Sequence, residues 1–432
     1  MGPLTALDLV QGPLATTAAL LALPAAAFLL IGRWRRGALF PLVAAALAAG
    51  IAYGAGEWAM SSGLSTHPLP LPVLGWIAAA AGALLLAAGG IYRGRWLRRV
   101  LGPVAAVLVV AAAALQINAY YGFYRTVGDL AGASTADIAP LTAASGDARA
   151  AAPQPVPLSS WAPPADMPDH GQVRSARIPG TASGFTARRA YVYLPPAHAV
   201  RRHPALPVLV LVAGQPGSPA DWLTAGRLEH VLDAFAAAHR GLAPITVVVD
   251  PNGALTANTM CMDSRIARAD TYLATDVPAW IAATLDPATD HTRWAIGGFS
   301  FGGTCAMQMA ALHPGTFRNA LVFSGEAEPA LGRSRAATIQ QSFGGDTAAF
   351  EALTPLHQFK KRHYHHSWAY FAAGAEDAEF TACMHTVASA AAHAGMTVRA
   401  EGIPAVGHSW RVPAAALGPA LDWLSGRLAL AP

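Results

Sequence analysis

Hydrophobic and polar positions divide the chain into two parts of different texture. Within residues 1–120, apolar residues run almost unbroken over 13–32, 38–56, 71–91 and 100–119. Each run approaches the roughly 20 residues a helix needs to cross the hydrocarbon core of a bilayer, so four transmembrane helices are predicted. The first run has no basic stretch ahead of it and three more follow, so it reads as a retained helix and not as a cleaved signal peptide. From residue 171 the pattern changes to short alternating runs. Strands are predicted at 172–178, 188–194, 206–212, 245–249, 293–298, 319–323, 368–372 and 397–401, and helices at 220–238, 270–284, 301–312, 377–394 and 413–427. Two opening strands followed by strand and helix in alternation imply an α/β domain, its sheet mostly parallel with helices on both faces. Residues 126–170 are rich in Ala, Pro, Ser and Asp without periodicity and read as a linker. The expected organisation is a four-span membrane region over 1–125, a linker over 126–170 and a globular domain over 171–432.

Composition agrees with this division. The chain is 53% hydrophobic and only 12% charged, as expected for a membrane part joined to a globular one. The net charge of +4 does not call for nucleic acid, because the arginines sit where membrane topology places them. Arg33, Arg35 and Arg36 separate the first two spans, and Arg93, Arg95, Arg98 and Arg99 separate the last two; the middle loop has Glu57 and His67 but no Lys or Arg. By the positive-inside rule both arginine loops are cytoplasmic, which puts the N-terminus and everything after Tyr120 outside a plasma membrane. Trp34, Trp58, Trp76, Trp96, Tyr120 and Tyr121 lie near span ends, where amphipathic rings act as interfacial anchors. Gly50 and Gly54 make a GxxxG spacing that suits close helix contact. No Lys, Arg, Asp or Glu falls mid-span, so a transport pathway has no polar seed. The three cysteines lack zinc-ligand spacing. No metal and no cofactor are predicted.

The chemistry gathers around WAIGGFSFGGTC, residues 294–305. Ser300 falls at a predicted strand-to-helix turn, the context in which GxSxG marks a nucleophile elbow. Gly298 and Gly302 remove Cβ atoms that would collide in so tight a turn, and the helix that begins at Phe301 directs free N–H groups at an oxyanion beside the serine. The motif has no Walker lysine and no acid placed for a dinucleotide. A serine hydroxyl needs a base, and the base needs an acid to fix its tautomer. In the α/β-hydrolase order the acid follows the serine and the histidine comes last. His408 in AVGHSW, between the last strand and the last helix, fits that place. His385 and His393 fall within a helix, while His363, His365 and His366 form an RHYHH cluster that reads as solvated or lid-like. For the acid, AGAEDAEF after strand 368–372 offers Asp377 and its neighbour Glu376; Asp377 is the choice, because it stands three residues after Gly374, the GxxD spacing common after this strand in α/β-hydrolases, with Glu376 as the alternative and Glu326 in FSGE as a third candidate. The oxyanion donors are expected to be the backbone amides of Gln215, in VAGQPGSPADW, and Phe301. Trp222 and Trp410 are expected to line the site. Residues 327–367 form an insert long enough for a lid.

These residues resemble the esterase D and antigen 85 group of α/β-hydrolases, which includes esterases and mycolyltransferases. The resemblance spans 171–428 and rests on GFTARRAYVYLPP, TYLATDVPAWI, the GFSFGG elbow and GHSW. It implies an α/β-hydrolase fold, a Ser, acid and His in that order, and an acyl-enzyme passed to water or to a sugar or lipid hydroxyl. In the mycolyltransferases an Asp precedes the glycine of the oxyanion loop and a basic residue follows shortly; here the first is Ala213 and the second is replaced within QPGSP, which argues against trehalose mycolyl transfer. The four spans set the chain apart from secreted members and look like certain actinobacterial membrane esterases, a neighbourhood that includes hydrolysis of aminoacyl phosphatidylglycerol. Cys261 and Cys305 both fall near the carboxyl ends of strands, and an extracytoplasmic domain permits a disulfide between them, with free thiols as the alternative. The reading that follows is a membrane-anchored serine esterase or acyltransferase acting on an ester of an envelope lipid or a small molecule. The competing readings are an inactive hydrolase-fold module that binds the envelope, and a transporter served by the domain.

Overall fold

The structure is a computed structural model that describes residues 4–10, 12–34, 39–65, 67–93, 96–142, 157–332 and 334–430. Contacts divide the chain into Met1–Ala136 and Asp137–Pro432.

In the first unit the apolar runs fold as helices α1 (Pro13–Trp34), α2 (Leu39–Ser61), α3 (Leu71–Arg93) and α4 (Trp96–Tyr121). All four are long and apolar enough to cross a membrane. They meet along small residues, with Ala22 and Ala25 of α1, Ala44 of α2, Ala83 of α3 and Ala105 of α4 in one cluster. Small side chains let helix backbones approach where lipid offers no hydrophobic drive between helices. Large apolar side chains such as Leu23, Ile31, Leu42, Val104 and Val107 point outward instead. The GxxxG of Gly50 and Gly54 is not such a seam: a Cβ at either would meet nothing within 4 Å. Of the loop arginines, Arg35, Arg36 and Arg95 lie outside the described residues. Arg98 places its guanidinium over the Phe28 ring.

The segment read as a linker is partly docked. Residues 126–136 stay with the helical unit, where Thr126 and Asp129 form a capping box. On the other unit, Leu141 N–H donates to the Ser175 carbonyl, and buried Trp161 donates from Nε1 to the Arg240 carbonyl. Residues 143–156 lie outside the described residues.

The second unit is built on one eight-stranded sheet in the order β1-β2-β4-β3-β5-β6-β7-β8. The strands are β1 (Gln172–Ala176), β2 (Ala190–Leu194), β3 (Val208–Val212), β4 (Ile245–Val249), β5 (Trp294–Phe299), β6 (Asn319–Phe323), β7 (Trp368–Gly374) and β8 (Thr397–Ile403). β2 runs antiparallel to β1 and to β4, and every pairing from β4 to β8 is parallel. The central strands VLVLV, ITVVV and NALVF are buried throughout, as strands covered on both faces must be. Edge strands β1 and β8 keep polar, exposed positions.

Helices α5 (Leu228–Ala238), α6 (Val277–Thr284), α7 (Phe301–Leu312), α8 (Arg335–Phe343), α9 (Thr347–Ala352), α10 (Pro355–Lys361), α11 (Ala378–His393) and α12 (Arg411–Leu424) cover the sheet and its insert. On one face Met307 of α7, Phe359 of α10 and Met384 of α11 pack with Val322 and Phe371 of the sheet. On the other, α12 packs against α5 and β7. The architecture is that of an α/β-hydrolase.

Two predicted helices are interrupted for local reasons. The helix expected over 220–238 stops at Thr224 and restarts at Leu228, because Arg227 takes a left-handed φ of 52° and Gly226 lies against the Trp222 carbonyl. The helix expected over 270–284 widens into a π-turn at Tyr272–Asp276. Pro278 follows within the first turn of α6; it has no N–H to give and its ring pushes the preceding turn open.

Candidate active site

The site lies at the carboxyl ends of β3, β5, β6 and β7, where an open parallel sheet leaves its loops free to converge. Ser300, between β5 and α7, has φ 58° and ψ −121°, a conformation that side chains rarely adopt. Its amide is held by the Phe323 carbonyl at 2.8 Å, and its own carbonyl accepts from the Thr304 amide. The glycines explain how so sharp a turn packs. A Cβ on Gly298 would lie 2.2 Å from the Gly302 carbonyl carbon, one on Gly302 would lie 2.1 Å from the Val212 oxygen, and one on Gly303 would lie 2.8 Å from the Phe323 oxygen. The elbow is therefore wedged between β3 and β6 with no room for side chains at these three positions.

His408 Nε2 lies 2.8 Å from Ser300 Oγ, and its Nδ1 lies 3.1 Å from Asp377 Oδ2. The other carboxylate oxygen of Asp377 accepts from the Phe380 amide, so this residue also caps α11. Capping fixes the carboxylate in the orientation that meets the imidazole. The structure thus brings Asp377, and not Glu376, to His408: the Glu376 side chain is exposed, and its amide donates to the Val406 carbonyl in the histidine loop. Gly374 has its own part, since a Cβ there would meet the carbonyls of Val406 and Gly407 at 2.3 and 2.4 Å. Only a glycine lets the histidine loop lie so close to the end of β7. The backbone amide of Glu326, the third candidate, donates to Thr304 Oγ1.

The imidazole is held by rings. Phe299 stacks on it at 5.1 Å and Phe380 lies at 3.9 Å between centroids. Trp410 touches Phe299 at 4.9 Å and meets Trp222 edge-on at 5.4 Å. Both tryptophans are almost fully buried, and Trp222 Nε1 donates to the Val212 carbonyl. Through Phe299, which stacks on His408, the two rings pack against the site. Phe380 escaped the sequence reading because a helical Phe after an N-cap looks like any core position.

Loop 213–218 lies beside the elbow: a Cβ on Gly214 would sit 3.7 Å from the Ser300 Cβ. Gln215 and the first amide of α7, that of Phe301, therefore flank the serine. Gln215 precedes Pro216 through a cis peptide, and its side-chain amide donates to the Thr256 carbonyl at 3.0 Å. A disulfide joins Cys261 and Cys305, tying the loop after β4 to α7. Gln308 supports the same loop through its side-chain amide, which donates to the Cys261 carbonyl. Insert helices α8 and α9 rest on that loop through Ile339, Phe350, Met260 and Met262. His363, His365 and His366 are exposed, the first two with parallel rings.

An uncharacterized protein of Corynebacterium glutamicum is 34% identical over 339 residues, covering 76% of each chain. Among solved structures, a ferulic acid esterase aligns with 60% of this chain and 99% of its own at 17% identity and a TM-score of 0.52. An S-formylglutathione hydrolase from Agrobacterium tumefaciens aligns with 61% and 98% at 16% identity and a TM-score of 0.51. At that identity the two structures show a shared fold. The family described as "Putative esterase" matches residues 185–411, which include the elbow, Asp377 and His408. The chain belongs to this esterase family and is a carboxylesterase-type hydrolase.

Proposed function

We propose that the protein is a membrane-anchored serine esterase whose catalytic unit faces away from the cytoplasm and cleaves ester bonds of an envelope lipid through an acyl-enzyme. The observation that carries this reading is the unbroken hydrogen-bond chain from Ser300 through His408 to Asp377. His408 Nε2 takes the proton from Ser300 Oγ as the oxygen attacks the acyl carbonyl. Asp377 stabilises the imidazolium that forms and holds the tautomer with Nε2 free. The amides of Gln215 and Phe301 receive the negative oxygen of the tetrahedral intermediate, assisted by the positive end of α7. His408 then returns the proton to the leaving alcohol. Water repeats the sequence on the acyl-enzyme and releases the acid.

The outward orientation draws on the arginine asymmetry of the sequence and on the Cys261–Cys305 disulfide, a bond that persists in oxidising compartments. For the substrate we favour an aminoacyl ester such as aminoacyl phosphatidylglycerol. A site tethered by four helices apolar enough to cross a membrane suits a lipid ester of this kind. Ala213, where mycolyltransferases have an acid, supports water over trehalose as acceptor.

The test is release of amino acid from aminoacyl phosphatidylglycerol by the detergent-purified chain, beside release of fatty acid from neutral esters. Release of amino acid is expected from wild type and not from Ser300→Ala. Release of fatty acid alone, with no amino acid from the aminoacyl ester, would remove the aminoacyl assignment.

A further inference from the structure

Asp250 follows β4 and is almost fully buried. Its carboxylate accepts five hydrogen bonds. Arg188 donates from its amide and from Nε to Oδ2 at 2.8 and 2.9 Å, and from Nη2 to Oδ1 at 2.8 Å. The amides of Asn252 and Gly253 complete the set at 3.2 and 3.0 Å. A bidentate pair of this kind fixes direction as well as distance.

What the pair holds is the oxyanion loop. Arg188 Nη2 also donates to the Gly217 carbonyl at 2.9 Å. From the other side the Gly217 amide donates to the Leu255 carbonyl at 3.1 Å, and the Gln215 side chain to the Thr256 carbonyl at 3.0 Å. Leu255 and Thr256 belong to the turn whose opening amides Asp250 binds. The anchors of loop 214–218 at Gln215 and Gly217 therefore trace back to one buried carboxylate, directly through Arg188 and indirectly through the 252–256 turn, while Asp221 separately holds the Ser218 amide and hydroxyl. Burying a charge pair is seldom a gain in stability over an apolar pair, so its retention asks for a geometric reason.

We propose that Arg188 and Asp250 are positioning residues for the oxyanion hole: together they set where loop 214–218 presents the Gln215 amide to the developing oxyanion. This rests on the reading of Ser300 as nucleophile and Gln215 as donor. Neither residue takes part in proton transfer. Loss of their contacts lets the loop drift, and a misplacement near 1 Å costs on the order of 100-fold in rate.

The experiment is steady-state hydrolysis of p-nitrophenyl acetate by the full chain in detergent, for wild type, Ser300→Ala, Arg188→Ala, Arg188→Lys and Asp250→Asn. Arg188→Ala is expected to lose about 10- to 100-fold in kcat with KM changed less than about 3-fold, because the donor acts only in the transition state. Arg188 is partly exposed, so millimolar guanidinium is expected to restore activity to Arg188→Ala and not to Asp250→Asn. Arg188→Lys keeps the charge without the fork and is expected to lose kcat in the same way, which keeps the test open if the alanine variant does not fold. Unchanged kcat in folded Arg188→Lys or Asp250→Asn would overturn the proposal, as would a loss expressed in KM alone or one that guanidinium does not restore. Undiminished hydrolysis by Ser300→Ala would show instead that the parent reading had failed.

Discussion

Ser300 holds its φ of 58° only because its neighbours over-determine it: the Phe323 carbonyl grips its amide, and three glycines clear the space around it. Residues in such sparse backbone regions cost about 1–3 kcal/mol and persist where function repays the strain. His408 was legible from chain order, because only that late histidine stands between the last strand and the last helix. The acid was legible in part: the GxxD spacing from Gly374 favoured Asp377, which is the carboxylate that meets His408, but its neighbour Glu376 has equal chemistry, and what separates the two is which of them caps α11, a matter of backbone geometry that composition does not carry. Asp377→Asn is expected to reduce kcat by roughly 10³- to 10⁴-fold, since it fixes the wrong tautomer of His408, while Glu376→Gln stays within about 3-fold. The reverse order of losses in kinetics would return the role to Glu376. A second residue-scale expectation concerns His198, whose imidazole burial and the stacked His203 push down to about 4 from the usual 6.5. A lowered pKa means the folded state favours neutral His198 while the unfolded chain takes up a proton first. Its contribution is thus present above about pH 6.5 and is lost as pH falls from there toward 4. Thermal unfolding followed by tryptophan fluorescence should show a steeper acid loss for wild type than for His198→Gln; identical slopes would contradict the assignment.

At the scale of elements, the central strands were plain in the sequence because an apolar run of five can be buried on both faces. The breaks were not, since Arg227 and the π-turn before Pro278 come from tertiary demands on helices whose periodicity looks continuous. Trp222 and Trp410 carry no periodicity that foretells their edge-on packing behind Phe299. Gly374 illustrates the converse, a spacing noticed in sequence whose reason is the close passage of the histidine loop. The Cys261–Cys305 bond joins positions 44 apart, and closing a loop of that length restricts the unfolded chain by about 4 kcal/mol on chain-entropy grounds. The double variant Cys261→Ser, Cys305→Ser is accordingly expected to unfold at lower denaturant concentration by a margin of that order. An unchanged midpoint would mean that the bond contributes nothing to the stability of the elbow face.

Across the whole molecule, four apolar helices and one α/β-hydrolase unit were both legible from hydropathy, whereas the boundary between them was not. Residues 157–170 read as linker by composition, yet Trp161 is anchored against the second unit because a buried indole needs an acceptor and finds the Arg240 carbonyl. The proposed orientation draws on the arginine asymmetry and the Cys261–Cys305 disulfide, and a fusion probes it directly. Alkaline phosphatase fused after Pro432 is expected to be active in cells and a green fluorescent protein in the same place dark; the opposite pattern would place the hydrolase unit in the cytoplasm.

The central claim is that Ser300 is an activated nucleophile, and fluorophosphonate labelling of the detergent-purified full chain, with the adduct located by mass, tests it most directly. The account expects one adduct on Ser300 in wild type and none in Ser300→Ala or His408→Ala. Labelling that survives Ser300→Ala, or a folded wild-type protein that takes up no label, would contradict it.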